Sequence, residues 1–230
     1  MNYVIAPGSL PALRMAHSSG RFPLRRVFCV GRNYVSHQIE MGGTGREAPF
    51  FFAKSPHAVV PGGGPVHYPP QTKNLHHEVE LVIAIGRGGA GLEVSRALDH
   101  VYGYGVGLDL TRRDLQQTAK EQGRPWLFAK DFDEAAPCSD LYSASAVGHP
   151  ERGAISLAVN GELRQHGDLA DMIWKASEQI AFLSTYYRLE PGDLIFAGTP
   201  AGVGAVHIGD HLHAAIEGLA ELDVTIVPPS

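Results

Sequence analysis

Three oxygen-donor side chains stand out by type and spacing. Glu78 and Glu80 sit in "NLHHEVELVIAI" (74–85), and Asp109 closes "YGYGVGLDL" (102–110). In an extended strand, positions two apart share a face. His76, Glu78 and Glu80 then point one way, continuing into Val82 and Ala84, while Val79, Leu81, Ile83 and Ile85 point the other. His77 goes with the apolar set or precedes the strand. Gly103, Gly105 and Gly107 share the parity of Asp109, giving a bare face of the kind needed where another group approaches closely. Adjacent carboxylates repel, and burial raises that cost unless a cation joins them. Three oxygen donors without a thiolate suit a hard cation, Mg²⁺ or Mn²⁺. His76 would either add a nitrogen ligand, favouring Mn, Fe or Zn, or stand beside the site as a neighbour. A solvated strand end satisfies the same parity for Glu78 and Glu80, and this pattern alone leaves both readings open.

A second set could move protons or hold anions. His37 and Glu40 are three apart in "VGRNYVSHQIEMGG" (30–43), so on a helix they are neighbours. The carboxylate would then orient the imidazole as a base toward water, although an exposed ion pair has the same spacing. Lys54 and Lys130 each follow an aromatic run, "PFFFAKS" (49–55) and "PWLFAK" (125–130). Such lysines either snorkel to water or sit desolvated beside an anion. Arg113 and Gln116 share a helical face, as a carboxylate clamp or as a wet surface. "GTPAGVG" (198–204) is a glycine-rich turn, not a P-loop, because no Lys-Ser/Thr follows its glycines. Its amides with the Thr199 hydroxyl could cradle a carboxylate.

The elements that must position these groups are mostly strands. "RRVFCVG", "ELVIAIG", "YGYGVGLDL", "AISLAVNGEL", "DLIFAGTP" and "LDVTIV" are short apolar runs bounded by turn residues. Asn160-Gly161 predicts a type I′ hairpin. The periodicity predicts a helix over 169–187, capped by Asp168, with Met172, Ile173, Ala176, Ile180 and Leu183 on one face. A second helix follows Thr111, with Thr111 and Asp114 as a capping box and Gly123 as its stop. A third spans 34–41, ended by Gly42-Gly43, and the glycine-rich segment 42–48 beyond it is a candidate lid. Strands outnumber helices and do not alternate with them, which predicts a β-rich α+β fold.

The chain has 230 residues, 44% of them hydrophobic, with a formal net charge of −5, so it offers no electrostatic footprint for nucleic acid. Cys29 and Cys138 are the only cysteines, too few for a disulfide framework or a CxxC metal site. The start lacks a signal-peptide layout, and no apolar run reaches the ~20 residues of a membrane span. A soluble cytoplasmic setting, with no membrane or nucleic-acid partner, is the expectation.

In order and in wording, "VGRNYVSH..EMG", "FFAKS", "NLHHEVELVIAIG", "GYGVGLDLTRRDLQ", "GRPWLFAKDF", "VNGELRQ" and "PGDLIFAGTPAGVG" resemble the fumarylacetoacetate hydrolase family, over nearly the whole chain from Arg26 onward. Within it, the chain is most similar to the short, single-domain acylpyruvate hydrolases. The resemblance implies a mixed, rolled β-sheet with few helices, usually paired as a homodimer. It also implies a lead-in over 1–25 and one catalytic domain over 26–230. By position, Glu78, Glu80 and Asp109 match the family's metal ligands, commonly for Mg²⁺ or Mn²⁺. His37 and Glu40 match its water-activating dyad, and Lys130 the lysine near the metal. Arg32, Lys54, Arg113, Gln116 and Thr199 fall where the family contacts substrate. Asp131 and Ala135 depart from the small or serine-like residues of many relatives, and an acid beside Lys130 would alter the pocket. The implied reaction is hydrolysis of the carbon–carbon bond of a 2,4-dioxo acid, fumarylpyruvate to fumarate and pyruvate in gentisate-type catabolism. Oxaloacetate decarboxylation, isomerisation of related 2-oxo acids and non-catalytic binding of a small acid are the alternatives.

Overall fold

The structure, a computed structural model, describes residues 3–6, 8–35 and 47–230. Its centre is a mixed eight-stranded sheet. In chain order its strands are β1 (Arg26–Gly31), β2 (Phe50–Lys54), β3 (Val59–Pro61), β4 (Val79–Ile85), β5 (Val101–Leu108), β6 (Ala136–Cys138), β7 (Tyr142–Ser143) and β8 (Asp193–Phe196). They lie in the order β2-β1-β8-β4-β5-β6-β3, with β7 paired to β5. β8 runs parallel to β1 and antiparallel to β4, so the sheet is mixed as expected. The curl of this sheet and the small helical content match the rolled, β-rich class.

A five-stranded sheet faces it, with Glu162–Asp168, Ala154–Val159, His211–Ile216, Ala220–Val227 and Gly64–His67 in that order. Leu81, Ile83, Val106 and Leu108 from the large sheet and Leu157, Leu212, Leu222 and Val224 from the smaller one form one core. The opposite face of β4, Val82 and Ala84, packs into a second core with Leu13, Phe22, Cys29, Leu194 and Phe196. Leu13 and Phe22 belong to a hairpin of Ala12–Arg14 and Arg21–Pro23, so the segment before Arg26 contributes to this core. Every residue of β4 is buried. The acid-bearing strand is therefore sandwiched between two cores and is not a wet edge.

The glycine face of β5 is filled by protein. A Cβ at Gly103 would meet the Tyr142 carbonyl oxygen at 2.2 Å, and one at Gly107 the Phe196 ring at 2.7 Å. Asn160 and Gly161 have φ of 53° and 81°, the positive pair that a type I′ turn demands.

Two helix expectations need correction. The predicted helix over 169–187 is a 3₁₀ turn, Leu169–Asp171, followed by a helix only at Ala176–Tyr186. Asp168 caps the 3₁₀ turn through the Ala170 amide, and at the start of the helix the Glu178 carboxylate accepts the Lys175 amide. The cause is Asn33. Its side chain accepts from the Trp174 amide and donates to the Trp174 carbonyl, and its own carbonyl accepts from the Ile173 amide. The second helix, Arg113–Glu121, starts later than predicted and has no Thr111–Asp114 capping box. Thr111 lies in the short strand Thr111–Arg112, and Asp114 instead accepts from the Thr72 hydroxyl and the Lys73 amide. Gly123, at φ 62°, does follow its end. Beyond Val35, the third predicted helix and nearly all of the candidate lid lie outside the described residues.

Candidate metal centre and substrate cleft

The β4–β5 ladder brings the three carboxylates together. Glu80 is opposite Gly107, and one step past the strand ends the Asp109 amide donates to the Glu78 carbonyl at 2.8 Å. Glu78 lies in the break between Leu75–His77 and β4, so its side chain turns to the same spot as Glu80. One oxygen from each of Glu78, Glu80 and Asp109 lies within 4.8 Å of the others. All three are buried, Asp109 completely and Glu80 at 1% exposure.

Three cations close on two of these acids. Lys130, at the end of the short helix Leu127–Lys130, donates to Glu78 Oε2 at 2.9 Å, Asp109 Oδ2 at 2.5 Å and Thr111 Oγ1 at 2.7 Å. Lys54, the last residue of β2, sits 2.9 Å from Asp109 Oδ1 and donates to the backbone of Leu110 and Lys130. Arg113 pairs with Glu78 Oε1 and donates to Gln116 Oε1 at 2.5 Å. Burial pulls the Lys130 ammonium toward neutrality, but Asp109 and Glu78 more than offset it, and its pKa lies above the ordinary lysine value. Glu80 differs. It accepts the Gly198 amide at 2.7 Å and has no cationic side chain at ion-pair distance among the described residues. Burial, then Asp109 and Glu78, push its pKa well above the carboxylate range. A buried acid without a cation, beside two others, is the arrangement that a divalent ion relieves. The all-oxygen donor set fits Mg²⁺ or Mn²⁺.

The strand-ending turn 198–200 serves this centre. Gly198 has φ 94°, and a Cβ there would come within 2.5 Å of the Asn33 Cβ, so glycine lets the amide reach Glu80. Thr199 Oγ1 accepts from Gln165 Nε2 at 2.8 Å. The Gln165 carbonyl oxygen in turn receives the Val79 amide and a His77 ring N–H. His77 is thus a buried structural group. His76 is a neighbour of the triad and no part of it. Its Nδ1 accepts from Arg113 Nε at 3.3 Å while Nε2–H donates to Asn74 Oδ1 at 2.9 Å. Burial and the Arg113 charge lower its pKa to about 4.

Above the triad opens a cleft that contains Glu78, Glu80 and Lys130, with Arg32, Arg113, Gln116 and Thr199 also on its walls. Lys54 lies beneath it, behind Asp109. Asp131 is turned away, its carboxylate accepting the Ser55 amide at 2.7 Å, so it does not enter the cleft beside Lys130. Arg32 has φ 56°, a strained backbone for a side chain of this size, as often occurs at a binding site. His37 and Glu40 lie outside the described residues. Sequence reasoning missed Phe52, Trp126 and Lys120, which also line the cleft. For Lys120 a signal existed: it falls four residues after Gln116 and seven after Arg113, on the same helical face. Trp126, in a loop, had none.

A mixed, curled sheet that seats three buried carboxylates under a cationic cleft defines a metal-site enzyme scaffold. The family description "Fumarylacetoacetate (FAA) hydrolase C-terminal" matches residues 26–227, and the chain belongs to that family. Among its relatives, a fumarylpyruvate hydrolase from a Ralstonia species is 48% identical over 182 residues, spanning 79% of this chain and 94% of that protein. The rat mitochondrial oxaloacetate tautomerase FAHD1 is 41% identical over 198 residues, or 86% and 90% of the two chains. The crystal structure of fumarylpyruvate hydrolase from Pseudomonas aeruginosa, in complex with Mn²⁺ and pyruvate, superposes with a TM-score of 0.96 at 50% identity, covering 99% of this chain and 100% of that one.

Proposed function

We propose that this protein hydrolyses the carbon–carbon bond of a 2,4-dioxo acid, converting fumarylpyruvate to fumarate and pyruvate. The observation that carries the proposal is the buried Glu78–Glu80–Asp109 triad, with Lys130 on two of its members and Glu80 lacking a cation among the described residues. These three acids would hold Mg²⁺ or Mn²⁺, which when bound polarises the 2-oxo acid end of the substrate as a Lewis acid.

The chain's own groups supply the remaining chemistry. Glu40 orients His37, whose free nitrogen takes a proton from a water aimed at the acyl carbonyl. The hydroxyl adds to the acyl carbon, and collapse of that adduct breaks the bond to the methylene. Fumarate leaves with the new oxygen and pyruvate leaves as its enolate, which takes up one proton. The Lys130 ammonium, kept charged by Asp109 and Glu78, stabilises the developing enolate. Arg113 and Thr199 hold the pyruvyl carboxylate, with Gln116 and Arg32 on the same walls and Lys54 supporting Asp109 from beneath. Fumarylpyruvate incubated with enzyme should yield fumarate and pyruvate in equal amounts by NMR. Any other product pair refutes the reaction.

The tautomerase relative supports a second reading, action on oxaloacetate. Decarboxylation of oxaloacetate needs enolate stabilisation and no activated water, so an H37A enzyme would retain that activity while losing fumarylpyruvate hydrolysis. Pairing into a homodimer, a cytoplasmic setting and a catalytic unit of 26–230 belong to the same proposal. No helix among the described residues is long and apolar enough to cross a membrane.

A further inference from the structure

The cations lining the cleft fall into two groups. Arg113 and Lys130 are committed to Glu78 and Asp109. Arg32 and Lys120 have no carboxylate at ion-pair distance among the described residues, and the buried Arg32 Nε has no hydrogen-bond partner. Both line the cleft, and both are half-buried. Two half-buried, uncompensated cations facing one cavity repel each other and favour an anion between them.

Their placement says which anion. Lys130, at the triad, stands 4.9 Å from the Phe52 ring centre. Phe52 meets Trp126 with ring centres 6.0 Å apart, and Lys120 Nζ stands 5.3 Å from the Trp126 ring centre. A wall of two aromatic rings therefore connects the committed lysine at the metal site with the uncommitted one. Phe50 packs edge-on against Trp126 at 5.4 Å and extends the wall outward. Such a wall suits a flat, unsaturated hydrocarbon stretch, and a cation at its far end suits a terminal carboxylate.

We infer that Lys120, together with Arg32, anchors the carboxylate of the acyl group, with Trp126 and Phe52 flanking the planar segment, so that the cleft selects acylpyruvates bearing a second terminal carboxylate. The assignment rests on the dioxo-acid reading for the identity of the ligand and on the cleft for its position. Lys120 is thereby a specificity-determining residue remote from the reacting bond.

Calorimetric titration of the Mn²⁺-loaded protein with fumarate and, separately, with pyruvate tests this in wild type, K120M and K120R. The expected result is a loss of fumarate affinity of about 10- to 100-fold in K120M. Pyruvate affinity should change less than about twofold, and K120R should recover most of the fumarate loss. Equal losses for both acids, or unchanged fumarate binding in K120M, overturn the inference. An unaltered thermal melt for K120M shows that the comparison concerns a folded protein. If wild type shows this pattern but leaves fumarylpyruvate intact, the reaction fails and the anchor stands. If it cleaves fumarylpyruvate while K120M binds fumarate normally, the reaction stands and the anchor fails.

Discussion

Lys130 Nζ donates to Asp109 Oδ2 at 2.5 Å, between two side chains that are both buried. The same ammonium reaches Glu78 at 2.9 Å, so a single cation compensates two members of the triad. K130M removes it and leaves two buried carboxylates short of a partner. The metal-free variant is expected to lose about 3–5 kcal/mol of stability, the usual cost of breaking one side of a buried pair. Chemical denaturation measures this, and saturating Mn²⁺ should recover part of it. Turnover should fall by about 100-fold or more, because enolate stabilisation goes with the charge.

Glu80 should respond with the opposite sign. Among the described residues it is the acid without a cation, so E80Q relieves an uncompensated buried charge while its carbonyl still accepts the Gly198 amide. The metal-free variant should melt at or above the wild-type temperature. Its Mn²⁺ affinity by calorimetry should be at least about tenfold weaker. A metal-free E80Q that melts well below wild type would contradict this view of Glu80.

The glycine face of β5 gives a packing prediction. At Gly103 an added Cβ would lie 2.2 Å from the Tyr142 carbonyl oxygen, a backbone atom that cannot turn aside. G103A should therefore force β7 away from β5 and cost about 1–3 kcal/mol. G91A makes an instructive comparison: the site has open space but φ is 61°, so its cost is backbone strain alone, about 1 kcal/mol. Urea denaturation of the two variants separates clash from strain.

Asp168 should shape the acid limb of stability. The Ala170 and Gly153 amides hold its carboxyl below the usual aspartate value. A depressed folded pKa stabilises above the unfolded value of about 3.9, and that contribution is lost as pH falls through the folded value. The wild-type advantage in melting temperature over D168N should thus be constant near neutrality and shrink below about pH 4. A gap that widens on acidification would contradict the assignment.

Much of this site was legible because it depends on strand parity. The alternation in "HEVELVIAI" and the glycine spacing before Asp109 express the β4–β5 register, and that register assembles the triad. The failures arise where distant residues override local pattern. Asn33 satisfies backbone groups at Trp174 from 141 positions away, and the helix expected over 169–187 starts only at Ala176. Thr72 and Lys73 recruit Asp114, and the local capping box does not form. Lys120 followed the helical spacing of Arg113 and Gln116, yet a lysine near a helix end has the character of a surface residue until a fold puts Trp126 beside it. Arg32 has no local pattern at all: its strained backbone and its place on the cleft come from the turn that follows β1.

The most direct test of the account is the decay of ultraviolet absorbance of enolised fumarylpyruvate, followed with metal-stripped enzyme before and after Mg²⁺ or Mn²⁺ is restored. The account predicts that chelation abolishes the decay and that the added ion restores it. Undiminished decay after complete chelation would contradict it.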